Sequence, residues 1–221
     1  MREQFELELQ QLEQQLLALG QAVLAATSKS LLALAARDHE MASRMIEEDH
    51  TINQAQLDIE LACARLLALQ QPQATDLRFV LVVMSASSDL ERMADHMVSL
   101  SRAVLRLKAT HQLSDHAIAE QVHALGQKAQ QQLAQLLAVM SSHDTQKAIA
   151  LAKEDKQIDD QYKTLSRDMM TLMKDQTIAI YQGTEYLSML RHIERFADDI
   201  TSICERLVYL ETGEIISLTD T

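Results

Sequence analysis

From Phe79 to Leu107 apolar residues recur at alternating steps of four and three: Phe79, Val83, Ala86, Leu90, Met93, Met97, Leu100, Val104 and Leu107. Only an α-helix with one apolar stripe lines up residues in this way, and an unbroken run of that length is a heptad seam for packing against other helices. The seam is written again at an offset of 103, the spacing from Glu91 to Glu194, as Tyr186, Met189, Ile193, Phe196, Ile200, Ile203, Leu207 and Leu210. A chain that carries one seam twice in phase is a tandem of like units.

Breaks between helices are few, in keeping with one proline (Pro72) and four glycines. They fall at Arg37-Asp38-His39, at residues 70–73 around Pro72, from Thr110 to Asp115, from Ser141 to Asp144, and at Tyr181-Gln182-Gly183-Thr184. Asp38, Thr75, Ser114, Asp144 and Thr184 offer N-caps, because their side-chain oxygens can accept from the free N–H groups of a first turn. Six helices are predicted, starting near Arg2, Asp38, Thr75, Ser114, Asp144 and Thr184. The second and fifth also repeat: EEDHTIN resembles KEDKQID, with Asp49 and Asn53 matching Asp155 and Asp159 at an offset of 106. The expected fold is all-α, two tandem three-helix bundles related by a pseudo-twofold repeat, occupying residues 1–110 and 111–221.

Composition narrows the function. A formal charge of −12 opposes binding to nucleic acid or anionic lipid, both of which need a basic footprint, and favours cationic partners or metal ions. Cys63 and Cys204 stand in apolar helical runs without CxxC spacing, which suits free thiols in a reducing, cytoplasmic setting. The stretch from Met1 to Gln15 is rich in Glu and Gln, and no uncharged run reaches the roughly 18 residues of a spanning helix, so no membrane insertion is expected.

The seams carry a repeated phrase, SDLERMADHMVSL and RHIERFADDITSI. Residues four apart share a helix face, so Glu91 with Asp95 and Glu194 with Asp198 are paired carboxylates that repel unless something neutralises them. If the second and third helices turn at Pro72 as an antiparallel hairpin, Asp49 and Asp95 stand at similar heights. Each unit would then gather four groups across adjacent helices: Asp49, Asn53, Glu91 and Asp95 in the first, Asp155, Asp159, Glu194 and Asp198 in the second. One such pair alone reads as a solvated helix face. Its recurrence at one phase in both halves brings a cation site level with that reading. Oxygen-rich ligation suits iron, manganese, magnesium or calcium, with zinc where histidine assists.

Other motifs give less. Glu47-x-x-His50 and Glu120-x-x-His123 have the spacing of di-iron carboxylate proteins but sit in different units and off the repeat, so they read as surface pairs. His96 has Asp199 as its repeat counterpart and reads as peripheral to the acids. The methionines, Met84, Met93, Met97, Met169, Met170 and Met173 among them, fall at or beside apolar stripes as core filling. No Gly-rich phosphate loop or placed nucleophile is visible, and the chain reads as a non-enzyme.

The pattern resembles the PhoU family. The residues that carry the likeness are QPQATDLRFV, DLERMADH, HIERFADD with the trailing ICERLVYLETGE, and the EED…N and KED…D stretches, which together span nearly the whole chain. The resemblance implies paired three-helix bundles with metal ions, often iron or zinc clusters, on the acid-x-x-x-acid faces. It also implies a cytoplasmic, usually dimeric regulator that acts with the ATPase subunit of the phosphate ABC transporter and with a membrane histidine kinase to repress the phosphate-starvation response. The metal positions fall on Asp49, Glu91, Asp95, Asp155, Asp159, Glu194 and Asp198, while Asn53 departs from a strict acid and lowers the charge of the first site. Met-Ala and Phe-Ala stand where the family often has Ile-Gly. Arg78, Arg92 and Arg195 flank the acid faces and are expected to dock a partner or hold the acids, with simple ion pairing as the alternative. A purely structural helical scaffold and a di-iron carboxylate protein are the competing functions.

Overall fold

The computed structural model describes residues 2–107 and 113–218, with side chains over 3–107 and 116–218. Six helices occupy it: α1 Arg2–Ala36, α2 His39–Gln70, α3 Thr75–Arg106, α4 Leu113–Ser142, α5 Thr145–Lys174 and α6 Ile180–Thr212. The expected boundary near residue 110 and the side chain of Ser114 lie outside the described residues.

Two helix starts follow the sequence chemistry closely. Asp38 caps α2 by accepting from the Met41 N–H at 2.9 Å, and Asp144 caps α5 by accepting from the Lys147 N–H at 3.1 Å. The turns before them repeat as well, since Arg37 (φ 51°) and His143 (φ 52°) both take positive φ. Two other expected caps are corrected. α3 begins at Thr75 itself, with Ala74 at the cap position and no side-chain cap, while the Thr75 hydroxyl accepts from Arg78 Nη2 at 3.3 Å. α6 begins at Ile180, not Thr184, whose hydroxyl donates to the Tyr181 carbonyl at 2.7 Å inside the helix. Gly183 misled the reading: it is not a breaker but a point of close approach, where a Cβ would lie 2.4 Å from the sulfur of Met173.

Each half is a three-helix bundle, α1 with α2 and α3, then α4 with α5 and α6. The halves meet where α3 crosses α6 and α1 crosses α4, so α2 and α5 lie outermost. α3 and α6 therefore bury more than one stripe. Every seam residue from Val83 to Leu107 and from Tyr186 to Leu210 is buried, and so are off-seam residues such as Ala94, Val98, Ala103 and Ala197. At about 1.5–3 kcal/mol for each large apolar side chain removed from water, these two helices dominate the core.

The α1–α4 crossing is written twice. Gly20 faces Leu137 and Gly126 faces Leu31, a Cβ on either glycine falling 2.3 Å from a leucine methyl. Both the glycines and the leucines are 106 apart, the offset already seen from Asp49 to Asp155, so each helix gives one knob and one notch to the other. α1 is long and apolar enough by composition to cross a membrane. Here Leu12, Leu16, Leu19, Val23, Leu31 and Leu34 are buried against the other helices, and the Thr27 and Ser30 hydroxyls donate to the Val23 and Met97 carbonyls.

Gly20→Val and Gly126→Val should each lower unfolding free energy by about 2 kcal/mol, overpacking outweighing the gain in helix propensity. Urea denaturation followed by circular dichroism measures it, and an unchanged midpoint would remove the glycine notches from the account.

Candidate metal centre

The second acid cluster lies between α5 and α6. Among the described residues, Asp155, Asp159 and Asp198 each bring a carboxylate oxygen within 4.8 Å of the others. The i,i+4 spacing on α5 places Asp155 and Asp159 on one face, and the α5–α6 packing brings Asp198 to it. Asp155 is 7% exposed, and its Oδ1 is buried without a hydrogen-bond partner. Burial first, then the charges of Asp198, Asp159 and Glu194, pushes the Asp155 carboxyl up to about 7. Glu194 and Asp198 are raised in the same way, by burial and then by their acidic neighbours. Lys163, donating to Asp159 at 3.3 Å, offsets the cluster by a direct ion pair.

The first cluster is looser. Asp49 on α2 and Glu91 and Asp95 on α3 lie close enough to raise one another: burial and Asp95 lift Asp49, and burial, Asp95 and Asp49 lift Glu91. No trio of acids closes as in the second cluster among the described residues. Asn53 donates from Nδ2 to Asp49 Oδ2 at 3.2 Å, neutralising one lone pair, while Asp49 Oδ1 stays buried and unpartnered. All eight expected residues are thus brought together by fours, as the hairpin reading requires, but at unequal density. An unpartnered buried carboxylate oxygen beside two further acids is what a hard cation would satisfy, so the donor set fits a metal ion.

A family model described as the PhoU domain matches residues 16–104 and again 122–207. The chain belongs to the PhoU domain family. The phosphate-specific transport system accessory protein PhoU homolog of Streptococcus pneumoniae is 55% identical over 218 residues, covering 99% of this chain and 100% of that protein. The accessory protein PhoU of Escherichia coli is 31% identical over 212 residues, covering 96% of this chain and 86% of its own. The crystal structure of the PhoU regulatory protein from Streptococcus pneumoniae superposes with a TM-score of 0.89 at 54% identity, over 96% of this chain and 99% of that one. PhoU from Pseudomonas aeruginosa gives 0.88 at 29% identity, over 95% and 100%.

In this PhoU-domain chain two of the three expected docking arginines bond to groups of the fold itself, with Arg92 still half-exposed and Arg78 partly buried. Arg92 Nη2 donates to Asp89 and to Asp199, both at 2.7 Å, tying α3 to α6. Arg78 Nε donates to the Leu210 carbonyl at 3.3 Å, a cation at the C-terminal end of α6. Ion pairing therefore describes Arg92 better than free display does. Arg195 is exposed, and its charge partly opposes the rise that burial and acidic neighbours impose on Glu194 and Asp198. His96 is peripheral, as expected, but faces the inter-unit crossing, with Nδ1 3.3 Å from that of His192 and Nε2 3.6 Å from Asp199. Burial, and then the cationic neighbours, take it down to about 4, so it is neutral. Both Glu-x-x-His pairs are separate: α2 and α4 share no contact, and His50 Nδ1 meets the Glu47 backbone oxygen at 2.7 Å. Cys63 and Cys204 are buried free thiols, pushed up by burial to about 11 and about 12.

Sequence reasoning missed the Asp89 clamp. Asp89 is 1% exposed and is also held by Arg206 Nε at 2.7 Å. The signal was available: Asp89 and Asp199 each directly precede a seam residue, Leu90 and Ile200, where a helix packed on several sides buries whatever flanks the seam.

Two outcomes follow. Arg206→Ala should cost about 2–3 kcal/mol because Asp89 loses one of its two guanidiniums, and adding Asp89→Asn should recover part of that loss. The metal-free protein should lose stability as pH rises between about 4 and about 7, since native Asp155 keeps its proton to about 7 while the unfolded chain releases it near 4. Urea midpoints across this window should flatten in Asp155→Asn, and an unaltered slope would reject the assignment.

Proposed function

We propose that this chain is an accessory regulator of phosphate uptake that works by docking, with cations held on its two acid faces. The observation that carries the reading is full-length similarity to proteins named as phosphate-specific transport system accessory proteins, together with an acid cluster whose buried oxygen has no partner inside the protein. In this reading the protein is cytoplasmic and dimeric, associates with the ATPase subunit of the phosphate transporter and with a membrane histidine kinase, and represses the phosphate-starvation response without catalysing a reaction.

Asp155, Asp159 and Asp198, with Glu194 beside them, would hold the cation of the second face. Asp49, Glu91 and Asp95, with the Asn53 amide oxygen, would hold that of the first. Iron, manganese, magnesium, calcium and zinc all accept carboxylate oxygen, and the set here contains no thiolate and no imidazole. A bound cation supplies positive charge that relieves the repulsion between acids and stiffens the α2–α3 and α5–α6 grooves. The chain's own contribution is to fix those carboxylates at one height, which the α3 and α6 seams do. Arg195, exposed beside Glu194 and Asp198, is the arginine proposed to meet a partner.

Elemental analysis of purified protein, beside Glu91→Ala/Asp95→Ala and Glu194→Ala/Asp198→Ala, tests the reading. Bound metal should fall in both variants, more in the second, and repression by the quadruple variant should fail while its helical signal persists. Unchanged metal and unchanged repression would favour the scaffold reading, and oxygen-dependent turnover by iron-loaded protein would favour the di-iron one. Charge reversal at Arg195 should weaken capture of the transporter ATPase; intact capture would take Arg195 off the docking surface.

A further inference from the structure

The two acid clusters differ in what lies over them. After α6 the chain reverses at Gly213 (φ 75°), whose N–H donates to the Tyr209 carbonyl at 2.8 Å, and Glu214 N–H donates to the Thr212 hydroxyl at 3.1 Å. The reversed segment runs back along the helix. Ile216 packs on the core, Leu218 is 8% exposed within it, and the Leu218 N–H donates to Glu205 Oε1 at 2.8 Å. Leu218 also walls a cavity of about 470 Å³ that is otherwise lined by α5, including Asp155, Lys156 and Asp159. The chain segment after α6 therefore sits against the second acid cluster.

The first unit has a different solution at the same place. The counterpart of Glu205 at the offset of 103 is Arg102, whose charge acts on Asp49 and opposes the rise in its carboxyl. Where one unit sets a cation beside its innermost acid, the other sets an acid that holds a backbone N–H. Asp49 is correspondingly half-buried, and Asp155 is buried. An apolar residue against an uncompensated carboxylate has no stabilising logic of its own. It does have one as a cover that shields the innermost carboxylate of a charged site and is held by a side-chain latch.

We propose that Gly213–Leu218 is a strap, latched on Glu205, that shields the Asp155 cluster and slows cation exchange there while the Asp49 cluster stays open. The exchange half of this rests on the cation reading above, and the shielding half does not. Strap opening breaks the latch hydrogen bond and exposes Leu218 and Ile216, a local opening of a short terminal segment rather than of the helices.

The test uses the full chain with Glu205→Ala and, separately, Leu218→Ser, both checked for wild-type melting. In EDTA, with no metal bound, carboxylates are labelled with a carbodiimide and glycine ethyl ester and read by peptide mass spectrometry. Asp155 labelling should rise about tenfold in Glu205→Ala, the factor expected for one charge-assisted hydrogen bond, with Asp49 labelling unchanged. Leu218→Ser should act in the same direction. Unchanged Asp155 labelling in both variants, or an equal rise at Asp49, overturns the strap. With Tb³⁺ loaded, release into excess chelator should show two phases in the wild type, the slower one accelerated in both variants and the faster one unaltered. Two phases that neither variant moves would overturn the gating. Wild-type protein that binds no Tb³⁺ would sink the cation reading, and the labelling would then decide the shielding alone.

Discussion

A carboxylate that is 1% exposed cannot stay charged at a helix crossing unless guanidinium groups come with it, and Asp89 has two, Arg92 from its own helix and Arg206 from α6. That requirement sets how the halves of the molecule meet. Arg106 and Glu185, paired at 2.8 Å, repeat the logic nearer the end of the same antiparallel crossing. Apolar seams alone would let α3 slide on α6, since alternating Leu, Ile and Met surfaces accept several registers; a buried ion pair accepts one. The pseudo-twofold is broken at this point. At the offset of 103, Arg92 and Asp199 map onto Arg195 and His96, so the attractive pair on one side of the axis has as its mate a neutral imidazole beside a cation.

With that register fixed, the acid pairs of α3 and α6 are carried to opposite outer grooves, each facing its own flanking helix. Nothing in folding asks for them there. Raised carboxyls at Asp49, Glu91, Asp155, Glu194 and Asp198 mean that the native state is strained by its own charges at neutral pH. A sequence selected for stability alone would replace Asp155 by Asn or Leu. Like charges at matched heights, in two copies, are the feature on which the proposed cation sites rest.

Most of the architecture was legible in the sequence because it rests on periodicity: the α3 and α6 seams, the six helices, and the capping aspartates Asp38 and Asp144 all follow from local rules. The acid faces were legible for the same reason, because i,i+4 spacing and the repeat offset place the eight residues before any coordinates are known. What escaped depends on contacts between elements far apart in the chain. Gly183 reads as a turn until Met173 is seen against it, and the notch that Gly20 offers to Leu137 has no signature within α1 itself. For Arg78 and Arg92 the sequence left docking and ion pairing both open, because a helix period says which face a residue takes and not which distant group meets it. Glu205 and Leu218 were invisible for a further reason: the latch joins a helix to an irregular segment that has no period at all.

The two clusters, similar in sequence, are unequal as sites, and the inequality has a direction. Asn53 and Arg102 lower the charge around Asp49, so a cation there gains less from relieving repulsion. Asp159 and Glu205 stand in their places around Asp155, where desolvation is greater and three carboxylate oxygens already converge. Ligand binding stabilises a fold in proportion to the logarithm of its concentration over its dissociation constant, so under the cation reading proposed above the denser cluster would fill first and contribute more. Its acids would also give up more protons in binding, which would make its occupancy the more sensitive of the two to pH below neutrality. Under the cation reading the two faces would therefore differ both in affinity and in pH response, a division that two identical repeats could not make.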